Sequence, residues 1–285
     1  MTIKDAILAT LAYHDIFGYP LTANQTYSYL IVKSSFLSFE KSLQLLIKQK
    51  KVFEKDGLVF LQGRGQTVKI RQTRKKASGK KFRKAIFYGK ILRAIPTIKL
   101  VAISGALSME NADANDDIDL VIVTSSGNLW TTRLLANFLL QPYRRKAGKS
   151  HTKDKACLNM FLEEFSLKIG THNLYTAHEL AQLKPVWQCG KTYQNLIKAN
   201  SWIKTFLPNW QQHSTESFST YPESKIHLPF TIYHSILEPL AKTFQIRYMR
   251  HKITTEQIGE QQLFFHPSNT QEKILREYQK RLRRI

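Results

Sequence analysis

The chain has 285 residues, 42% of them hydrophobic, and 43 Lys and Arg against 21 Asp and Glu give a net charge of +22. That length and apolar content allow one large domain or two to three small ones with real cores, and they exclude a disordered or low-complexity chain. The positive excess predicts a polyanionic partner, with nucleic acid ahead of a membrane surface.

Residues 1–63 predict a small helical unit. "MTIKDAILATLAYHD" lacks the basic start of a signal peptide. Thr2 and Asp5 instead form a capping box ahead of a first helix that Gly18 and Pro20 end. Thr22 is placed to cap a second helix, and Ser35 or Ser38 a third, apolar at 39, 43, 46 and 47. "KVFEKDGLVFLQG" then predicts two short strands around a Lys-Asp-Gly turn. Three helices followed by a hairpin resemble the winged helix-turn-helix family. The resemblance implies nucleic-acid contact through the third helix, by Lys41, Lys48, Lys50 and Lys51. A winged helix used for protein contacts or as a lid has the same pattern.

Residues 64–96 predict a basic linker helix. Ten basic residues and no acid lie between Arg64 and Lys84, which suits an electrostatic arm for phosphates. The second half is amphipathic, with Ile86, Ile91, Leu92 and Ile95 on one face, and Pro96 stops it.

Residues 97–170 alternate strand and helix. "IKLVAIS" and "IDLVIVT" are strands, the second almost wholly apolar and so central. "LWTTRLLANFLLQPY" is a helix expected to turn Leu129, Leu134, Leu135, Phe138 and Leu139 inward. A basic loop at 144–155 leads to a third strand, "ACLNMFLEE". Residues 171–285 predict a helical domain punctuated by Pro185, Pro208, Pro222, Pro229 and Pro267. Its last helix carries an apolar stripe of Ile274, Leu275, Tyr278 and Leu282. Trp187, Trp202 and Trp210 are expected in its core, and "LFFHP" at a turn. The expected fold class is therefore α+β: an N-terminal winged helix, a mixed sheet with flanking helices, and a helical C-terminal domain.

The chemistry concentrates in "ISGALSMENADANDDIDLVIV", residues 103–123. Residues two apart on a strand share a face, so Asp117 and Asp119 project together and Ile118 turns into the core. Two converging carboxylates repel unless a cation lies between them, and an oxygen-only site suits Mg²⁺ or Mn²⁺. Upstream, Gly105 lets the backbone bend closely around a ligand. The N–H groups of Ser104 to Ser108 could then cradle phosphates, with Ser104 and Ser108 offering hydroxyls. Asp113 and Asp116 are expected to be solvated loop acids. His172 and His178, like His227 and His234, lack metal-ligand spacing and are assigned to packing or caps. Cys157 and Cys189 fit no zinc or disulfide pattern. With no apolar run of about 18 residues, the expectation is a cytoplasmic protein without a membrane partner.

Acids that open the apolar strand, behind an upstream glycine, resemble the DNA polymerase beta-like nucleotidyltransferase superfamily. Ile103-Ser104-Gly105-Ala106, a gap, and Asp117-Ile118-Asp119-Leu120 carry the resemblance, over roughly residues 97–165. It implies a mixed sheet with flanking helices, divalent metal at Asp117 and Asp119, and an NTP as substrate. A nucleoside monophosphate then passes to an acceptor hydroxyl, and the charge favours RNA as its carrier. Two positions depart from the pattern. Ala106 stands where the family has Gly or Ser. The third acid that the family often carries on a later strand is replaced by Asn159, with Glu163 or Glu164 as substitutes in another register. A catalytically degenerate nucleic-acid-binding or nucleotide-sensing protein is the alternative.

Overall fold

The computed structural model describes residues 1–145, 152–212, 220–221, 231–250, 257–265 and 268–285. Thr2 and Asp5 close a capping box and start α1 (Ile3–Asp15). Every residue of α1 from Ala6 onward is buried, so this helix is covered on all sides. Thr22 and Gln25 start α2 (Ala23–Ser28) the same way. Ser35, rather than Ser38, caps α3 (Phe36–Lys48). Lys50 then takes a positive φ, and the N–H groups of Lys50 and Lys51 return to the carbonyls of Ile47 and Leu46, a Schellman ending. Strands β1 (Val52–Lys55) and β2 (Leu58–Leu61) pair antiparallel across Asp56 and Gly57, both at positive φ as a two-residue hairpin turn requires.

The basic segment is one 27-residue helix, α4 (Gln66–Leu92). Its inward face is Lys81, Ala85, Tyr88 and Leu92, spaced for one helical stripe. Of the residues expected on the apolar face, Leu92 and Ile95 are buried and Ile91 packs partly buried beside them, but Ile86 is 44% exposed, because α4 lies along the sheet through the Ala85 stripe. On the outer side Lys69, Lys76, Lys80 and Arg83 are exposed and share a stripe.

After α4 come β3 (Ile98–Ile103), α5 (Gly105–Ser108), β4 (Ile118–Thr124), α6 (Leu129–Leu139) and β5 (Ala156–Glu163). Then follow α7 (Leu174–Ala181), β6 (Lys184–Cys189), α8 (Thr192–Ala199), α9 (Ile203–Phe206) and β7 (Thr220–Tyr221). The chain closes with α10 (Thr231–Met249), β8 (Gln257–Ile258), β9 (Gln262–Phe264) and α11 (Ser268–Leu282). Among the described residues, seven strands form one sheet in the order β7-β6-β3-β4-β5-β9-β8. Two of its pairs, β4–β5 and β6–β7, are parallel and the others antiparallel. The chain is thus an α+β protein with a mixed sheet. Strand β4 lies at its centre, and every residue of β4 except Asp119 is buried.

Alternation along β3, β4 and β5 divides the core in two. Ile103, Ile118, Leu120, Ile122 and Phe161 face α4, α6 and α10. Leu100, Ala102, Val121, Val123 and Leu162 face α7, α8 and α9. The N-terminal helices dock on the second layer. Tyr13 stacks on His178 with centroids 4.3 Å apart, and Tyr278 of α11 meets its edge. The Asn209 side chain bonds the backbone of Leu30, Val32 and Ser34. The stripe of α11 that includes Ile274, Tyr278 and Leu282 packs against α1 as its periodicity predicts.

Several expectations are corrected. Among the described residues the region after residue 171 is mostly helical, but it also supplies β6, β7, β8 and β9, which are not among the elements expected from sequence. Pro185 does not end an element. It sits in β6 at a register shift against Ala102, where a missing N–H is tolerated. Trp187 belongs to that strand, and Leu263 and Phe264 to β9 rather than a turn. On α6, Leu134, Leu135 and Phe138 face outward, Phe138 at 73% exposure. Leu129 is buried as expected, and Trp130, Thr132 and Ala136 complete the inward face. Thr132 can turn in because its hydroxyl bonds those of Thr97 and Thr124. Pro222, Pro229, Pro267, His227, the side chain of His234 and residues 146–151 of the basic loop lie outside the described residues. Among the described residues no helix is long and apolar enough to cross a membrane.

Candidate metal and phosphate site

Strand β3 ends at Ile103, and the N–H of Ser104 just beyond it donates to the Asp119 carbonyl at 3.1 Å. The chain then turns through Gly105 at φ 62°. A Cβ at this position would lie 2.8 Å from Asp119 Oδ2. Glycine is therefore required twice, by the backbone and by the carboxylate against it. Asp117 stands just before β4 and Asp119 inside it, while Ile118 between them is fully buried in the opposite layer. Across the parallel pairing, the partner of Asp119 is Cys157. The ligand atoms of Asp117, Asp119 and Cys157 all lie within 4.8 Å of one another. The convergence of the two acids expected from strand spacing is present.

Cys157 was not singled out by sequence. Its signal was available, since it lies two residues before Asn159 and so on the same face of β5. Burial, then the charges of Asp119 and Asp117, push its thiol well up, which keeps it protonated. A protonated thiol is a poor ligand for a hard cation. The donor set fits Mg²⁺ or Mn²⁺ through the two carboxylates, with phosphate and water oxygens left to complete the shell. Arg145 donates to Asp117 Oδ2 at 2.8 Å from a half-exposed position. Burial works against its charge, but Asp117 and then Asp119 raise its pKa.

The loop that presents the acids is held by α4. Lys81 is 1% exposed. Its Nζ donates to the carbonyls of Asp116 at 2.6 Å and Ala114 at 3.2 Å, and pairs with Asp154 at 2.8 Å. Lys84 takes the other Asp154 oxygen, and the Tyr88 hydroxyl takes its carbonyl. Burial pushes the Asp154 carboxyl up, but the bonds and charges of Lys81 and Lys84 hold it below the usual range. Other cations of the arm are also engaged: Arg64 with Asp15, Arg71 with Gln25 and the Tyr19 ring, and Arg74 with the Phe17 carbonyl. Asp113 and Asp116 order their own loop, the Asp116 carboxylate accepting the Asp113 N–H.

The other expected site residues divide. Ala106 is exposed on the turn. Ser108 is buried and donates to the Gly105 carbonyl at 2.7 Å, so its hydroxyl closes the turn and does not face a ligand. Glu163 and Glu164 lie at the far end of β5, where they accept the N–H groups of Gly127 and Ser126. The register pairs Glu163 with Thr124, so neither glutamate reaches the acid pair. Asn159 is buried beside a register shift between Leu120 and Val121. His178 is fully buried, with its pKa lowered by burial, and packs among aromatic rings. His172 stacks on Trp202.

Two spaces open on this face of the sheet. One, of about 190 Å³, is lined by Gly105, Ala106 and Asp119 together with Tyr13, Phe17 and His178. The other, of about 280 Å³, runs beneath α7 between Ser104, Val121, Asn159 and Leu180. Tyr175, Glu179 and Thr270 line both. No protein-family model, curated protein or solved structure matches the chain.

Proposed function

We propose that the chain is a metal-dependent nucleotidyltransferase of the DNA polymerase beta-like kind. It would transfer a nucleoside monophosphate from an NTP to an acceptor hydroxyl. The observation that carries this reading is the convergence of Asp117 and Asp119 on one face, with Gly105 turned against them. The two carboxylates would hold Mg²⁺ or Mn²⁺, which when bound supplies the positive charge a triphosphate needs. The Ser104–Ala106 turn orients the phosphates beside the acids. Arg145 can leave Asp117 and screen a phosphate oxygen. The acceptor oxygen attacks the α-phosphorus in line, its proton passes to solvent, and pyrophosphate leaves. Catalysis would be by positioning and electrostatics.

Nucleic acid, RNA first, is the proposed carrier of the acceptor. The exposed stripe of Lys69, Lys76, Lys80 and Arg83, with Lys41, Lys48, Lys50 and Lys51 around α3, supports it. Residues 1–63 would act as the winged-helix-like contact. A second reading, a degenerate protein that binds without transfer, is favoured by one observation: β5 brings a thiol and an amide to this end, not a third carboxylate.

Incubation with each α-labelled NTP, Mg²⁺ or Mn²⁺ and total RNA tests the choice. Label in RNA from the wild type and none from Asp117→Ala/Asp119→Ala supports transfer. Salt-sensitive RNA binding in both proteins, with no label in RNA, protein or small molecules, would move the assignment to the binding reading.

A further inference from the structure

We infer that the cavity beneath α7 holds a nucleobase, and that Asn159 accepts a hydrogen bond from an N–H on its edge. This rests on the nucleotidyltransferase reading, with the base belonging to the nucleotide whose phosphates sit at Asp117 and Asp119. At about 280 Å³ the cavity is close to the lower end of the range for small-ligand pockets, about 300–1,000 Å³. Its walls are mostly apolar. Val121, Met160 and Phe264 rise from the sheet, and Leu180 and Leu183 close the opposite side. Such surfaces suit the two faces of a flat ring.

Among the polar groups on these walls, two buried atoms stand without partners. Ser104 Oγ and Asn159 Oδ1 are buried, each on a residue 3% exposed, and neither has a hydrogen-bond partner among the described residues. Buried polar atoms nearly always find partners, so a pair left open on one cavity points to a ligand that completes them. An amide oxygen only accepts, so that ligand must bring a donor. A purely aliphatic ligand fits the walls and leaves both atoms unmet. An anion is disfavoured too, because among the described residues the cavity wall contains no Lys or Arg and its charged member is Glu179. A neutral ring bearing N–H groups meets all three conditions.

Position links the ring to the phosphates. Ser104 lines the cavity, and its neighbour Gly105 leaves no room for a Cβ beside the Asp119 carboxylate. Tyr175, Glu179 and Thr270 line both this cavity and the space at Asp119, which is where a ribose would cross. Asn159 thus has a role other than that of a missing third acid.

The test uses nucleosides, which carry no phosphate and need no metal. Adenosine, cytidine, guanosine and uridine are titrated calorimetrically into the full chain, into Asp117→Ala/Asp119→Ala, into Asn159→Leu and into Val121→Phe. The expected result is saturable binding of at least one nucleoside to the wild type and equally to the double aspartate variant. Asn159→Leu, close in volume, should weaken it about tenfold, one good hydrogen bond's worth, without lowering the unfolding temperature. Val121→Phe should fill the cavity and abolish binding. If Val121→Phe does not fold, Leu180→Phe fills the same space from the other side. No saturable binding of any nucleoside to the wild type overturns the inference, as does wild-type affinity in the Asn159 and cavity-filling variants. Nucleoside binding without nucleotidyl transfer would leave the pocket standing and remove the transferase reading. Transfer without nucleoside binding would do the reverse.

Discussion

At one end of the β4–β5 pair, Glu163 and Glu164 accept backbone N–H groups at 3.0 and 3.3 Å from the loop that leads into α6. At the other end, Asp117 faces the guanidinium of Arg145 and Asp119 stands across from a thiol. The same strands carry both sets of acids, yet the charge is balanced differently. A carboxylate satisfied by its own backbone belongs to the fold, since removing its partner means unfolding a loop. A carboxylate balanced by a half-exposed side chain can exchange that cation for another. The lysines nearest the acid end sharpen the contrast. Lys81 and Lys84 hold loop carbonyls and Asp154, so they fix where the acids stand and leave exchange to Arg145.

The comparison breaks most visibly at the acids themselves. Asp117→Ala/Asp119→Ala should lower nucleotidyl transfer by at least about 100-fold while the unfolding temperature holds or rises, because two like charges are removed. A parallel fall in melting temperature would mean that these acids are structural, like those at the far end. Next in size is Lys81→Met, which leaves buried loop carbonyls and Asp154 short of a donor. It should cost about 3 kcal/mol by urea unfolding and weaken Mn²⁺ binding through loss of loop order. Wild-type stability in this variant would show that the acid end is not held by α4.

Glu163→Gln keeps an oxygen for the Gly127 N–H, so it should change stability by no more than about 1 kcal/mol and leave transfer untouched. Its pH signature is more telling. Burial raises the Glu163 pKa above the ordinary 4.5. The contribution of this group is therefore fully present below that value and is lost as pH rises through the folded-state pKa. Stability measured from pH 4.5 upward should fall less steeply in Glu163→Gln than in the wild type. Smallest is Arg145→Gln. A half-exposed ion pair is worth little, so Mn²⁺ should bind tighter by about fivefold at most in calorimetric titration. Weaker Mn²⁺ binding would make Arg145 a partner of the site instead of a competitor for Asp117.

Much of the local structure was legible in the sequence. Thr2 and Thr22 announce their helices because a cap and its N3 partner lie three residues apart. Asp56-Gly57 announces its turn because few pairs accept two positive φ values. The shared face of Asp117 and Asp119 follows from the two-residue repeat of a strand, and the need for glycine at 105 from the turn behind it. All of these depend on backbone geometry within a few residues, which the sequence carries directly. The remaining features depend on partners far along the chain. Cys157 stands opposite Asp119, and Glu163 far from it, because of the register of a parallel pair whose strands are separated by a helix and a loop. Pro185 sits inside a strand because a register shift in the neighbouring pairing tolerates its missing N–H. The outward Phe138 and the inward Thr132 follow from hydroxyl partners on other segments. Lys80 and Lys81 are adjacent and chemically identical, and one helical step places the first in water and the second under a loop more than thirty residues downstream. Sequence fixes what each segment can become, but burial depends on which surface comes to cover it, and only the folded chain supplies that surface.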